Sequence, residues 1–289
     1  MTFAFVADHA GEWPVAWTCE ALEVSASGYY AWAARADSPA ECRRRELAQA
    51  IAAIHADVRP RYGRPRMTAA LNARGHECSE DVVAELMRAH GIRGETSRRF
   101  VRTTDSRHRL PAADDRLDRA FEPSGPNEAR RADITYIPTR EGWLELAAVE
   151  DLFGRRIVGW SMDEAMTSRL VVDAPSMALA RRRPGAGLLA HADRGRQYAS
   201  GHDPRLLTDE GIACSGSGVG PCWDNAPVES FFGSLKRELG MDALYPTRDQ
   251  ARAEIFEYPE VFHNLLRRHS SLGYVSPDEF ERAHNREHR

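Results

Sequence analysis

The sequence predicts an α/β protein, a mixed sheet with helices, preceded by a small all-α domain. Three observations carry this. The β-rich runs Ile134 to Pro138, Trp143 to Val149 and Arg156 to Met162 are joined by turn sequences and should pair as an antiparallel meander. Ser168 to Arg183 reads as a helix leading to the apolar run Leu188 to Ala190, a crossover that lays the second strand parallel in the same sheet. Before residue 95 the apolar spacing is helical throughout.

In chain order, Val15 to Leu22 reads as a helix, and the Ser and Gly residues of Val24 to Tyr30 read as a turn into a second one. Leu47, Ile51 and Ile54 stand at i, i+4 and i+7 in a helix from Glu41 to His55. A basic turn follows, Arg61-Tyr62-Gly63-Arg64-Pro65-Arg66, then a short helix Met67 to Arg74 ended by Gly75. Ser79 caps a third helix whose buried face is Val82, Val83, Leu86 and Met87, stopped at Gly91. Short helices around a basic turn fit a helix-turn-helix unit, although any small bundle would look similar. Between Arg93 and Arg109 six arginines face only Glu95 and Asp105, a local charge of about +4 on a chain whose net charge is −4. The Pro-, Gly- and acid-rich stretch Leu110 to Asn127 marks a boundary. Four parts are expected: an N-terminal helical segment 1–40, a helix-turn-helix-like domain 41–95, a basic linker 96–127 and a core with a helical tail 128–289. The tail, Arg248 to Glu281, reads as helical, with His263, Asn264, Arg267 and His269 in packing or DNA-facing roles.

Composition excludes several classes. A hydrophobic fraction of 42% with 28% charged residues is that of an ordinary globular protein. No run approaches the roughly 18 apolar residues of a membrane span, and Met1 opens no signal peptide, so a cytoplasmic address is expected. The five cysteines never fall at C-x₂-C spacing, so neither a disulfide framework nor a zinc module is indicated.

The chemistry points to three carboxylates. Asp133 lies in the alternating run ADITYIPT, and Asp193 follows the strand-like Leu188 to Ala190 in HADRGRQY. Glu229 sits in the first turn of an amphipathic helix, where Asp224 or Asn225 can cap and Val228, Phe231, Phe232, Leu235 and Leu239 repeat at helical spacing. Lys236 is two turns on from Glu229 and on nearly the same face. Any one of 43 acids is ordinarily a solvated surface charge. Acids at strand tips and a helix start, taken together, suit two Mg²⁺ ions about 4 Å apart acting on a phosphodiester, because Mg²⁺ takes hard oxygen ligands and keeps some water.

With Asp133 to Ile137, Gly142-Trp143-Leu144, Asp151-Leu152-Phe153, Arg155 to Trp160, His191 to Ser200, Asp224-Asn225-Ala226 through Glu229-Ser230-Phe231-Phe232 to Lys236, and His269 to Tyr274 with Pro277, the chain resembles the DDE-type transposases of bacterial insertion sequences that carry a retroviral-integrase-like core. The resemblance covers nearly the whole chain. It implies a ribonuclease-H-like domain with a mixed five-stranded sheet, preceded by a small all-α helix-turn-helix domain. Asp133, Asp193 and Glu229 would be the catalytic, metal-binding triad for two Mg²⁺, with Mn²⁺ as a substitute, and Lys236 would hold DNA. Further DNA contacts are expected from Arg64, Arg66, Arg98, Arg99 and Arg102, a location on the nucleoid from the DNA partner, and no other cofactor. The implied activity is cleavage at element ends and transfer of the 3′-hydroxyl to target DNA. The partners are terminal-repeat and target DNA, further copies of the chain on that DNA, and an upstream reading-frame product. Two rivals remain, a catalytically inactive DNA-binding remnant and a metal-dependent nuclease without strand transfer.

Three residues depart from the family pattern. Arg130 stands where an aromatic residue commonly precedes the first acid, Arg196 replaces a small polar residue, and Pro175 interrupts a helical run. An internal proline costs about 3 kcal/mol or more, so a kinked or split helix near Ala174, or a decaying element, is expected.

Overall fold

The structure, a computed structural model, describes residues 2–58, 62–94, 123–185, 188–192, 213–216, 226–240 and 244–288. It divides into two compact units, residues 1–51 and 52–289, with the division inside one helix.

In the first unit α1 (Thr2–Asp8), α2 (Val15–Ala21) and α3 (Ala26–Ala33) close around Val6, Cys19 and Tyr29. The Ser-Gly stretch begins this third helix instead of forming a longer turn. Ser25 caps it by accepting from the Gly28 N–H at 2.9 Å, and a Cβ on Gly28 would lie 2.7 Å from that hydroxyl oxygen. Helix α4 (Pro39–Val58) is longer than its apolar spacing predicts. Its start is set by reciprocal bonds, the Ser38 N–H donating to the Glu41 carboxylate (2.7 Å) and the Glu41 N–H to the Ser38 hydroxyl (3.3 Å), followed by proline at the first helical position.

In the second unit α5 (Arg64–Ala73) pairs with α6 (Glu80–Ala89). Gly75 and Gly91 take the left-handed conformation that ends each helix, as their positions predict. The meander follows as β1 (Ala129–Thr139), β2 (Gly142–Asp151) and β3 (Arg156–Asp163). Asp151 proves structural. Buried at the end of β2, it accepts from the Asn127 N–H at 2.8 Å and the Phe153 N–H at 3.1 Å, fixing the turn into β3. After helix α7 (Ser168–Arg181), β4 (Leu189–Ala192) pairs parallel with β1, and β5 (Ala213–Gly216) pairs parallel with β4. The sheet order is β3-β2-β1-β4-β5. Sequence reading located four of these strands but not β5, because Ala-Cys-Ser-Gly has neither a β-branched residue nor an apolar run.

One face of the sheet buries Ala132, Ala147, Val149 and Val158 under Leu170, Ala174 and Ala178 of α7. Helix α8 (Ala226–Glu238) packs on β1 and β2. The tail is less regular than expected. It comprises α9 (Arg248–Glu257), a π-helical turn Tyr258–Leu266, a 3₁₀ turn Ser270–Leu272 and α10 (Pro277–Glu287). Pro259 has no N–H for the α-helical bond, so the register widens there, and Gly273 and Tyr274, both at positive φ, turn the chain back. The Asn264 side chain then does what a neighbouring strand would do. It donates to Ile157 C=O and accepts from Ile157 N–H, both at 2.9 Å, closing part of the exposed edge of β3.

Pro175 does not split its helix, since α7 runs unbroken from 168 to 181. The helix comes unusually close to β3 at this point. A Cβ on Gly159 would lie 2.2 Å from Ala174 O and 2.8 Å from Ala178 Cβ. Glycine is required there by contact with backbone, which cannot move aside. Gly159→Ala is therefore expected to destabilise the fold by about 1–3 kcal/mol or more, read as a lower denaturant midpoint at unchanged slope. Pro175→Leu restores a donor for Val171 C=O. It is expected to raise the melting temperature by several degrees, at about 2–4 °C per kcal/mol for a domain of this size; a fall on heating by calorimetry would mark the proline as a required feature of the helix.

Candidate active site

Asp133 lies on β1 with its side chain half-buried, and one carboxylate oxygen accepts from the Ile134 N–H at 2.8 Å. Alternation along the strand puts it on the sheet face away from α7, the face on which α8 packs. Val228, Phe231, Phe232 and Leu235 of that helix are buried, as their spacing predicts, and Glu229 in the first turn is half-buried. Lys236 is close enough to Asp133 for the two charges to interact. Burial pulls its ammonium below the ordinary value and Asp133 pulls it back up. Thus Asp133, Glu229 and Lys236 are on elements packed together. Asp193 lies outside the described residues. Ala132 and Ala192, each the residue immediately before one of the two aspartates in sequence, are register partners on β1 and β4.

The remaining candidates divide. Arg98, Arg99, Arg102 and Arg196, with the capping residues Asp224 and Asn225, lie outside the described residues. His191 pairs in register with Arg131 across β4 and β1. Arg64 is half-exposed and pairs with Glu80 at 3.0 Å, a surface contact worth little. Arg66 has a side chain only 25% exposed and lies 3.5 Å from Glu238. Arg130 is built into the fold. It is buried and donates to the Asn127 side chain (2.9 Å) and to Arg182 C=O (3.1 Å), with Asp151 offsetting part of the cost of its burial. Among the described residues no cluster of three or more His, Cys, Asp or Glu side chains forms a metal cage.

Sequence reasoning missed the buried charges Arg131, Glu150 and Glu238 beneath the site. Arg131 and Glu150 are cross-strand partners on β1 and β2, both at 2% exposure or less, two strand positions below Asp133 and Ala148. Glu238, at the end of α8, accepts from Arg267 (3.0 Å) and from the Tyr258 hydroxyl (2.7 Å), and Arg267 also donates to Ser234 at 2.9 Å. His263 and His269 stack edge to face, 4.7 Å between ring centres. A charge within a β-rich run, as in Arg131-Ala132-Asp133, was the available signal for Arg131. Nothing local marks Glu238, whereas Arg267, His263 and His269 were singled out in the tail without their partners.

A family model for an HTH-like domain matches residues 42–100, and models for the integrase core domain match residues 123–222 and 229–284. "Transposase InsF for insertion sequence IS3A" of Escherichia coli (strain K12) is 39% identical over 283 residues, 97% of this chain and 98% of that one. The chain belongs to the DDE-type insertion-sequence transposases with an integrase-like core. "Insertion element IS600 uncharacterized 31 kDa protein" of Shigella sonnei is 40% identical over 268 residues, 92% of this chain and 98% of that one. Among solved structures, the HTLV-2 integrase catalytic core domain in complex with magnesium is 17% identical with a TM-score of 0.42, covering 55% of this chain and 98% of that one. The transposase combines an HTH-like domain with an integrase core domain and acts in transposition. No helix among its described residues is long and apolar enough to cross a membrane.

Three buried groups give the transposase a defined pH response. Burial pushes the Glu150 carboxyl up to about 7, against the opposing pull of Arg155 and Arg131, so between its unfolded value near 4.5 and 7 the folded state holds the extra proton and stability falls as pH rises. Burial and Arg267 pull His263 down to about 3, and burial also lowers His269, so below about 6.5 the unfolded chain binds protons that the folded chain does not, and stability falls as pH drops. Glu150→Gln keeps the shape and removes the first effect alone. It is expected to match the parent near pH 5 and to exceed its stability by about 2 kcal/mol at pH 8, in urea melts at the two pH values.

Proposed function

We propose that Asp133, Asp193 and Glu229 form one metal-binding catalytic site for DNA cleavage at element ends and for joining of the freed 3′-hydroxyl to target DNA. The observation that carries this reading is the pairing of Ala132 with Ala192 on adjacent parallel strands, with the Glu229 helix packed on the first of them. Carboxylate oxygens are the ligands that Mg²⁺ prefers, and the half-buried side chains of Asp133 and Glu229 are accessible enough to take an ion that keeps its waters. Two Mg²⁺ ions, with Mn²⁺ as a substitute, would activate the attacking oxygen and offset charge on the leaving one. Asp133, Asp193 and Glu229 would hold the ions, and Lys236, whose charge interacts with Asp133, would hold a phosphate oxygen. In the joining step the 3′-hydroxyl oxygen bonds to the target phosphorus, and the target strand's own 3′-oxygen leaves and takes up a proton. One phosphodiester replaces another, so the step needs no external energy source.

The helix pair α5–α6 and the arginines from Arg93 onward support terminal-repeat recognition by the region before about residue 110, with Arg98, Arg99 and Arg102 on the backbone and Arg64 released from its weak surface pair. The parts 1–40, 41–95, 96–127 and 128–289 would then be a leading segment, a DNA reader, a basic linker and the core with its tail. Further copies of the transposase on DNA and an upstream reading-frame product are the proposed partners, at the nucleoid. The test supplies pre-cut ends and target DNA with Mg²⁺. Joined product is expected, and Asp193→Asn should reduce joining by on the order of 10³-fold while leaving a mobility shift intact. Cut product alone would identify a nuclease, and a shift without any product a DNA-binding remnant.

A further inference from the structure

The basic turn before α5 was expected to face DNA, yet two of its side chains are directed into the core. Tyr62 is 2% exposed, and its hydroxyl donates to Leu266 C=O and accepts from the Arg268 N–H, both at 3.0 Å. Arg66 reaches Glu238. The socket they enter is made of the end of α8 and the segment just after the π-helical turn, held together by Glu238, Arg267, Tyr258 and Ser234. Glu229 and Lys236 are seven residues apart, about 700° of helical rotation, and so share one face of α8. Glu238 is nine residues from Glu229, about 900°, and projects from the opposite face. The helix that carries the proposed catalytic glutamate is thus gripped on its far side by side chains of the HTH-like domain.

We propose that Tyr62 and Arg66 form a latch that docks the helix pair α5–α6 onto α8 and the tail, which makes Arg66 a positioning residue of the active site and not a DNA contact. Burial of this kind suits a docking role. A phosphate contact needs an exposed cation, whereas Arg66 is largely buried beside a carboxylate that already serves Arg267 and Tyr258; burial and Arg267 lower the proton affinity of its guanidinium while Glu238 opposes the shift. The latch sets the distance and angle between the domain that reads the element end and the acids that cut it. Small errors in such alignment cost rate far more than affinity.

The experiment compares the full-length transposase with its Tyr62→Phe, Arg66→Met and Arg66→Lys variants, each checked for native circular dichroism. Tyr62→Phe keeps the ring and removes only the hydroxyl, so it carries the test if Arg66→Met does not fold. In Tyr62→Phe, amide hydrogen exchange across Leu265 to His269 should accelerate by about tenfold or more, because the Arg268 N–H loses its acceptor. Affinity of Arg66→Met for a duplex carrying the element end should stay within about twofold, with an unchanged salt slope. Joining of pre-cut ends at saturating DNA should fall about tenfold in both variants and recover in Arg66→Lys. A salt slope reduced by about 1 in Arg66→Met, with exchange unaltered in Tyr62→Phe, would make Arg66 a phosphate contact and overturn the latch. Unaltered exchange in Tyr62→Phe together with unaltered joining in Arg66→Met would also overturn it. The joining arm rests on the proposed triad. A parent protein that joins nothing defeats that reading, while the exchange and salt arms still decide the latch.

Discussion

The Glu238–Arg267 ion pair is the contact on which the second unit depends. Both side chains are 5% exposed or less, so each charge has given up nearly all its water. Such a pair survives only if its remaining lone pairs and protons are satisfied. Here Tyr258 and Ser234 take up that role, and Arg66 adds a second cation beside Glu238. Arg267 keeps its charge for the same reason: burial alone would lower its proton affinity, but Tyr258 and Glu238 reverse the shift. Through this pair the end of α8, the π-helical turn and the start of α5 are tied at one point. The same helix carries Glu229 in its first turn, with Val228, Phe231, Phe232 and Leu235 buried along it.

The sheet is finished by contacts of a different kind. Its edge strand β3 is covered partly by Asn264, whose amide imitates a strand partner, and its inner face admits α7 only because Gly159 presents no side chain to Ala174 and Ala178. Trp160 donates to Glu260 at 2.7 Å, and Arg181 reaches the same carboxylate oxygen, so the last turn of α7 and the π-helical turn are joined over the same edge strand. The tail that sequence reading took as helical is therefore a brace. Its interruptions at Pro259, Gly273 and Tyr274 aim Asn264, His263 and Arg267 inward.

Charge is managed by depth. The half-buried acids Asp133 and Glu229 stand on the sheet face served by Lys236, while below them Glu150 and His263 are driven toward their neutral forms by desolvation. The two effects act over different ranges, since the histidines cost stability below about pH 6.5 and Glu150 costs it progressively between about 4.5 and 7 and no further above that.

The sequence by itself determined the elements whose information is local. Periodicity located the helices α2 and α4 to α8. Alternation and turn residues located β1 to β3, capping serines and left-handed glycines placed several ends, and the motif around Asp133, Asp193 and Glu229 identified the family before any coordinates. Only the tertiary structure decided what depends on residues far apart in the chain. It added β5, a strand made by pairing and not by propensity. It carried α7 unbroken through Pro175, because packing against Gly159 outweighs one lost backbone bond. It brought Arg66 to within 3.5 Å of Glu238, 172 positions away, and it brought Arg267 to the end of α8. A side chain's partner is set by where the backbone returns, and a buried charge looks the same in sequence as a solvated one.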